Sequence, residues 1–327
     1  METSRLGRTA VEVTRLGMGG GPLGGLFTPV DHDDAIATLT AAWDAGIRYF
    51  DTAPHYGIGQ SERWFGEFLG TRPRDELTFS TKVGRVLVEQ DPDGRTDEAF
   101  EVPATHRRVW DFSQDGIRRS LHDSLERMGV DRVDVLYLHD AEEHFEESLR
   151  NGYPALADLR SEGVVSAIGA GMGESALLAR LVREADVDAV MLAGRYTLLD
   201  QSALDDLLPA CQQRQVSVAA ASVFNSGILA QDHPTAGATY EYAPASATLL
   251  HRAQRIAEVC TAHGVTLPQA AIAFPLTHPV VASVVLGMRS PLEVSTNAGH
   301  FGAPVPPQLW VDLRDQRLLD ERVPIDL

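Results

Sequence analysis

The feature that most constrains this chain is a unit that recurs eight times: a short apolar run, a loop, then a stretch with helical periodicity. The apolar runs are Leu16–Gly19, Tyr49–Asp51, Leu77–Lys82, Val133–His139, Val164–Ala170, Ala189–Ala193, Val216–Ala221 and Val280–Leu286. Mostly apolar and short, they read as buried strands. Helices are expected over 33–45, 61–69, 113–128, 154–162, 175–185, 203–214, 248–263 and 291–300, with Ser113 an N-cap and Pro209 interrupting the sixth. Strands alternating with helices make a parallel sheet, because each parallel crossover needs a helix's length of chain. Eight such units close into a (β/α)8 TIM barrel, a fold of roughly 250 residues before insertions. The 327 residues leave room for an N-terminal β-hairpin over 4–14 and extra C-terminal helices, one over 269–277 and one opening the tail 306–327. An open doubly wound sheet would run its Gly-rich phosphate turn straight into the first helix. Here Gly17–Gly21 leads into Pro22, Gly24 and Gly25, which reads as a barrel loop. No linker divides the chain, so one domain over 1–327 is expected.

Charge narrows the partners. A net charge of −18 and a pI near 4.9 argue against nucleic acid and anionic membrane surfaces as ligands. No apolar run approaches the roughly 20 residues of a membrane span, and Met1–Arg5 lacks the apolar core of a signal peptide. A cytoplasmic protein, monomeric or a small homo-oligomer, is the expectation. Cys211 and Cys260 fall in expected helices and suggest neither a disulfide framework nor a zinc site. Two long loops, about Val86–Trp110 and Gln231–Ala247, follow strand C-terminal ends and should overhang the barrel mouth.

The same mouth collects the chemistry. Asp51 ends the second strand, Tyr56 lies on its loop, Lys82 ends the third strand and His139 the fourth. Taken singly, each could be ordinary: a loop anchor, a rim aromatic, a strand-end charge or a core histidine. Together they place four ionisable groups of four kinds on consecutive strand ends, the face where barrel active sites sit. A phenol with a pKa near 10 is a poor base at neutral pH, and a neighbouring ammonium lowers that value. No metal is expected: Asp51 and His139 lack a convincing third ligand, and Lys82 would repel a cation.

The set and its spacing resemble the aldo-keto reductase family. The matching pieces are D-T-A-x-x-Y-G at 51–57, S-T-K at 80–82, D-V-L-Y-L-H at 134–139 and the Arg-Ser-Pro…Asn run at 289–297. The resemblance implies a (β/α)8 barrel that binds NAD(P) extended, without a Rossmann domain. It makes Tyr56 the proton donor or acceptor, Lys82 and Asp51 its tuning pair, and His139 the group that orients the substrate oxygen. Cofactor contacts are implied for Gly19, Gly20 and Asp51 near the first two strand ends. Further contacts are implied for Ser222, Phe224, Asn225, Ser226 and Gly227 after the seventh strand, and for Gly287, Met288, Arg289, Glu293 and Asn297 after the eighth. An acidic Glu293 would repel a 2′-phosphate and accept a bond from a free ribose hydroxyl, which favours NAD, while Arg289 leaves NADP open. Ala221, Gly171-Met172 and Leu192 stand where relatives carry an aromatic and carboxamide-binding residues, so the nicotinamide bed is built differently. H-D at 139–140 and G-R-Y-T-L-L-D at 194–200 resemble a sugar-oxidising branch, the dehydrogenases of L-fucose, D-threo-aldoses and L-galactose, with a pyridoxal-oxidising enzyme close by. That implies a small-molecule sugar or aldehyde substrate, met by His55, Asp140 and Arg195, with Phe27 and Trp110 as pocket walls. A general NADPH-dependent aldehyde reductase and a nicotinamide-sensing binding subunit remain open alternatives.

Overall fold

The computed structural model describes residues 1–325. Eight parallel strands close into a barrel in chain order. They are β1 (Leu16–Gly19), β2 (Tyr49–Asp51), β3 (Thr78–Val83), β4 (Val135–His139), β5 (Ala167–Met172), β6 (Ala189–Ala193), β7 (Ser217–Ala221) and β8 (Val281–Gly287). Val284 to Gly287 of β8 pair back onto Leu16 to Gly19 of β1, so the barrel sheet has no edge. Outside it run α1 (His32–Asp44), α2 (Gln60–Leu69), α3 (Gln114–Met128), α4 (Tyr153–Ser161), α5 (Ser175–Glu184), α6 (Leu207–Arg214), α7 (Ala247–Ala262) and α8 (Pro291–Gly302).

Strand alternation sorts the apolar side chains into two layers. Phe50, Phe79, Leu136, Ile168, Val190 and Leu192 face the helices. Tyr49, Val135, Tyr137, Ala167, Ala189 and Met191 fill the lumen, and Leu6 and Val13 of the N-terminal hairpin join them. That hairpin, Thr3–Arg5 against Glu12–Thr14, plugs the end of the barrel where the strands begin. The opposite end is left to the loops. Side chains cap several helix starts: Asp31 accepts from Asp34 N–H, Ser113 from Gly116 N–H and Ser290 from Glu293 N–H.

Apart from shifted strand ends, four stretches differ from the sequence expectation. The loop after β3 carries an antiparallel ladder, Arg85–Glu89 against His106–Trp110. Its second arm, H-R-R-V-W, carries too many charges to look like a strand, and its partner lies a long loop away. The loop after β7 carries a small ladder, Thr239–Tyr240 against Ala243–Pro244. The sixth helix starts late, at Leu207, so that Pro209 falls in its first turn, where no N–H is needed. Over 269–277, helix Leu267–Ala273 gives way to a 3-10 turn, Phe274–Thr277, at Pro275. The tail helix is Pro307–Asp315, and the end of the expected extension, Asp326 and Leu327, lies outside the described residues. Among the described residues no helix is long and apolar enough to cross a membrane.

Candidate active site

The ends of β2, β3 and β4 bring Asp51, Lys82 and His139 to one side of the barrel mouth, all buried. Lys82 Nζ donates three hydrogen bonds: to Asp51 Oδ2 at 2.6 Å, to the Thr52 carbonyl at 3.0 Å and to the Tyr56 hydroxyl at 3.1 Å. An ammonium has three donors, so none is left over. The second Asp51 oxygen accepts from Ser80 Oγ at 2.7 Å. The Tyr56 and His139 rings meet edge to face, centroids 5.6 Å apart. Tight turns hold the loop that carries Tyr56. Gly57 has φ +59 and sits so close to Gly24 that a Cβ would come within 2.4 Å of the Gly24 carbonyl.

Electrostatics assign the protonation states. Burial pushes the Tyr56 phenol up to about 12, and Lys82 only partly offsets this. The expected lowering by the ammonium is present, but desolvation outweighs it. Burial alone would lower Lys82, yet Asp51 and Tyr56 hold it above its ordinary value, so it stays cationic. Burial lifts the Asp51 carboxyl, against the pull of Lys82 and Ser80. Burial, with Lys82 and Arg85 adding to it, keeps His139 well below the usual imidazole range and therefore neutral. Burial likewise drives His55 down to about 3.

Beside this cluster opens a cavity of about 760 Å³, lined by Tyr56, Lys82, His139, His55, Asp140 and Phe27, with Met172, Met191 and Tyr242 among its other walls. Two of the expected substrate residues stand elsewhere. Trp110 is not a wall but the platform under Arg85, whose guanidinium lies 4.4 Å from its ring centre. Arg195 does not line the cavity: it donates to the Gly173 carbonyl and pairs with Asp200 and Glu241. It thereby latches the loop that carries Tyr242. Leu192 packs toward the helices, and its neighbours Met191 and Ala193 face the cavity instead. Sequence reasoning missed Ser80, Arg85, Phe100 and the Arg108–Asp97 pair. The last is a two-bond fork, 2.7 and 2.9 Å, and Arg108 also donates to the His55 carbonyl at 3.2 Å. Ser80 was signalled by its place in S-T-K, two residues before Lys82. The other residues lie in the long loop after β3, where nothing in the sequence distinguishes them from solvated positions.

A groove of about 530 Å³ adjoins the cavity, sharing Leu26, Phe27, Ser222 and Tyr242 with it. Nine residues expected at the cofactor line it: Ser222, Phe224, Asn225, Ser226, Gly227, Gly287, Arg289, Glu293 and Asn297. Gly19, Gly20, Asp51 and Met288 do not. Met288 is core, and Asp51 is committed to Lys82 and Ser80. Gly20 is glycine for want of space: a Cβ there would come within 2.3 Å of Ser61 Oγ. Ser222, Asn225, Ser226 and Gly227 all have positive φ, which bends this backbone into a concavity of the kind that receives anions. Asn225 Oδ1 is buried there without a hydrogen-bond partner. An anion-receiving bend and an unsatisfied acceptor in one groove suit an extended dinucleotide.

Comparison with known proteins gives the class first: a nicotinamide-dependent oxidoreductase on a (β/α)8 barrel. The chain belongs to the aldo/keto reductase family, whose model matches residues 15–314. It is 50% identical over 312 residues to the D-threo-aldose 1-dehydrogenase of a Pseudomonas species, covering 94% of this chain and 95% of that protein. It is 39% identical to the pyridoxal 4-dehydrogenase of Microbacterium luteolum, covering 97% and 98%. Among solved structures it matches the aldo-keto reductase AKR11C1 of Bacillus halodurans (holo form) with a TM-score of 0.79 at 24% identity, covering 99% of this chain and 98% of that one, a likeness of fold.

Proposed function

We propose that this chain oxidises the anomeric carbon of an aldose to a lactone, with Tyr56 as general base. The observation that carries the reading is the saturated ammonium of Lys82. One of its three bonds ends on the Tyr56 oxygen, so the phenol accepts from Lys82 and turns its remaining position to the cavity, a proton when neutral and a lone pair when ionised. Bound NAD supplies the hydride acceptor. As C1 gives up its hydride, the ionised form of Tyr56 takes the proton of the C1 hydroxyl and the C1–O bond becomes a carbonyl, an oxygen that neutral His139 steadies. Asp51 holds Lys82 charged and aimed. The 50% identity to a D-threo-aldose 1-dehydrogenase supports this substrate class. The aromatic and methionine walls also suit a pyridine ring, so pyridoxal is the second candidate. The test is nicotinamide absorbance on mixing the protein with NAD or NADP and L-fucose, D-arabinose, L-galactose or pyridoxal. Absence of turnover on all of the sugars would sink the aldose reading.

The raised phenol gives a pH signature. An acid with a pKa of about 12 is almost wholly protonated at neutrality, so its base form grows about tenfold per pH unit. Oxidation kcat/KM is expected to climb steadily between about pH 7 and pH 10, whereas reduction, which uses the protonated form, stays flat. Initial rates in both directions across that range check it.

Support for NAD over NADP comes from Glu293. Its two oxygens accept from the Arg289 backbone N–H and Nε, both at 3.0 Å, while Arg289 also donates to Thr28 Oγ1 at 3.1 Å. The guanidinium in the groove is therefore already neutralised. Glu293→Gln should release it and remove the repulsion, raising kcat/KM with NADP relative to NAD by about tenfold, or ~1.4 kcal/mol. An unchanged ratio would remove Glu293 from cofactor choice.

A further inference from the structure

Arg85 makes no hydrogen bond to Asp51, Tyr56, Lys82 or His139 among the described ones, yet it lines the same cavity as Tyr56, from the loop after β3. One terminal nitrogen, Nη2, donates to Asp140 Oδ2 at 2.7 Å, the face stacks on Trp110, and the other terminal nitrogen, Nη1, has no partner among the described hydrogen bonds. Asp140 is the residue after His139, and its backbone has φ +40, a left-handed conformation that Asp tolerates better than most residues. That twist keeps its Oδ2 within 3.5 Å of His139 Nε2, long for a hydrogen bond. Asp140 Oδ1 has no protein partner among the described hydrogen bonds. The mouth of the site therefore holds a rigid donor with a spare N–H beside an acceptor with a spare oxygen, immediately next to the group facing the reacting oxygen.

We infer that Arg85 and Asp140 together bind the 2-hydroxyl of the sugar, making this enzyme selective for aldoses with a free oxygen at C2. The inference rests on the aldose reading above. If His139 and Tyr56 address the C1 oxygen, the adjacent polar pair meets the adjacent oxygen, because neighbouring hydroxyls lie about one hydrogen-bond length apart. A hydroxyl both donates and accepts, and so satisfies the carboxylate and the guanidinium at once. A 2-deoxy sugar keeps the Arg85–Asp140 pair but leaves the spare N–H and the spare oxygen without a partner once the sugar has displaced water, and this kind of omission is what a polar site rejects most strongly. An ion pair with both charges already matched has no cation free for a phosphate at this position.

The test uses D-arabinose and 2-deoxy-D-ribose, which differ from each other only by the C2 oxygen, with NAD and the full-length protein. Wild type is expected to favour D-arabinose in kcat/KM by about 10²-fold or more. Arg85→Met keeps an apolar partner for Trp110, and Asp140→Asn keeps the shape of the carboxylate. In each the preference should shrink to below about tenfold, mainly through KM for D-arabinose, with NADH binding by fluorescence unchanged. Arg85→Lys retains charge but not the fork and should restore only part of the preference. If both variants lose rate equally on the two sugars, the pair is structural and the inference falls while the aldose reading stands. If wild type oxidises neither sugar nor any other aldose, both fall together.

Discussion

Tyr56→Phe is expected to lower kcat/KM for sugar oxidation by about 10³-fold, within the span that a positioned acid or base contributes. The change removes one oxygen and leaves the ring contacts to His139 and Phe100 in place, at centroid distances of 5.6 and 6.2 Å. Tyr56 lines the cavity but not the adjoining groove, so NADH binding should hardly change. Stability should fall modestly, by about 1–3 kcal/mol, because Lys82 loses one of its three acceptors in a buried place. The steep rise of oxidation with pH should vanish with the phenol. Steady-state kinetics, NADH fluorescence titration and chemical unfolding separate these effects. A variant that kept more than about a tenth of wild-type kcat/KM would remove Tyr56 from proton transfer. The lumen phenols Tyr49 and Tyr137 offer no substitute, being turned to each other at 3.3 Å.

What was legible in the sequence follows from which interactions are local. The barrel strands were readable because each is buried on both sides, and an apolar run such as Val-Leu-Tyr-Leu at 135–138 suits little except a strand with no solvated face. Strand ends then put Asp51, Lys82 and His139 at the mouth without any knowledge of side-chain contacts. The fifth strand was displaced: Val164–Ala170 was expected and Ala167–Met172 is observed, because Gly169 and Gly171 dilute the apolar signal at its end. The shift matters, since it brings Met172 to the cavity wall. Arg195 and Trp110 looked like substrate groups because charged and aromatic residues after strands often are. Their actual partners, Glu241 from the loop after β7 and Arg85 from the far arm of Trp110's own loop, lie well away in sequence and carry no signal at Arg195 or Trp110 themselves. Arg85 was invisible for the complementary reason: a lone arginine opening a long loop is usually solvated. Long-range pairing within the insertions, not the barrel, is what single-sequence reading lacked.

Lys82→Met should be the most damaging single change, and for two separable reasons. Activity should fall about 10³-fold, since the phenol loses the cation bonded to its oxygen and desolvation then governs its proton. Stability should fall by about 3–5 kcal/mol, the cost of leaving one member of a buried ion pair without its partner. The Asp51 side chain is only 2% exposed, so water cannot replace the ammonium there. Burial already raises the Asp51 carboxyl, and without Lys82 the rise is larger. A carboxyl whose folded pKa lies above its unfolded value near 3.9 destabilises the fold as pH rises past that value, until the folded pKa is reached. The variant should therefore be relatively better tolerated in mild acid than at neutral pH. Adding Asp51→Asn removes the orphaned charge while keeping an oxygen for Ser80, so the double variant should recover more than about half of the lost stability. It should recover none of the activity, because the ammonium does not return to Tyr56. Unfolding curves for the single and double variants at mildly acidic and neutral pH, set beside their oxidation rates, test both halves. A double variant that regained activity along with stability would show that Lys82 serves only the fold, and the phenol would need another source for its acidity.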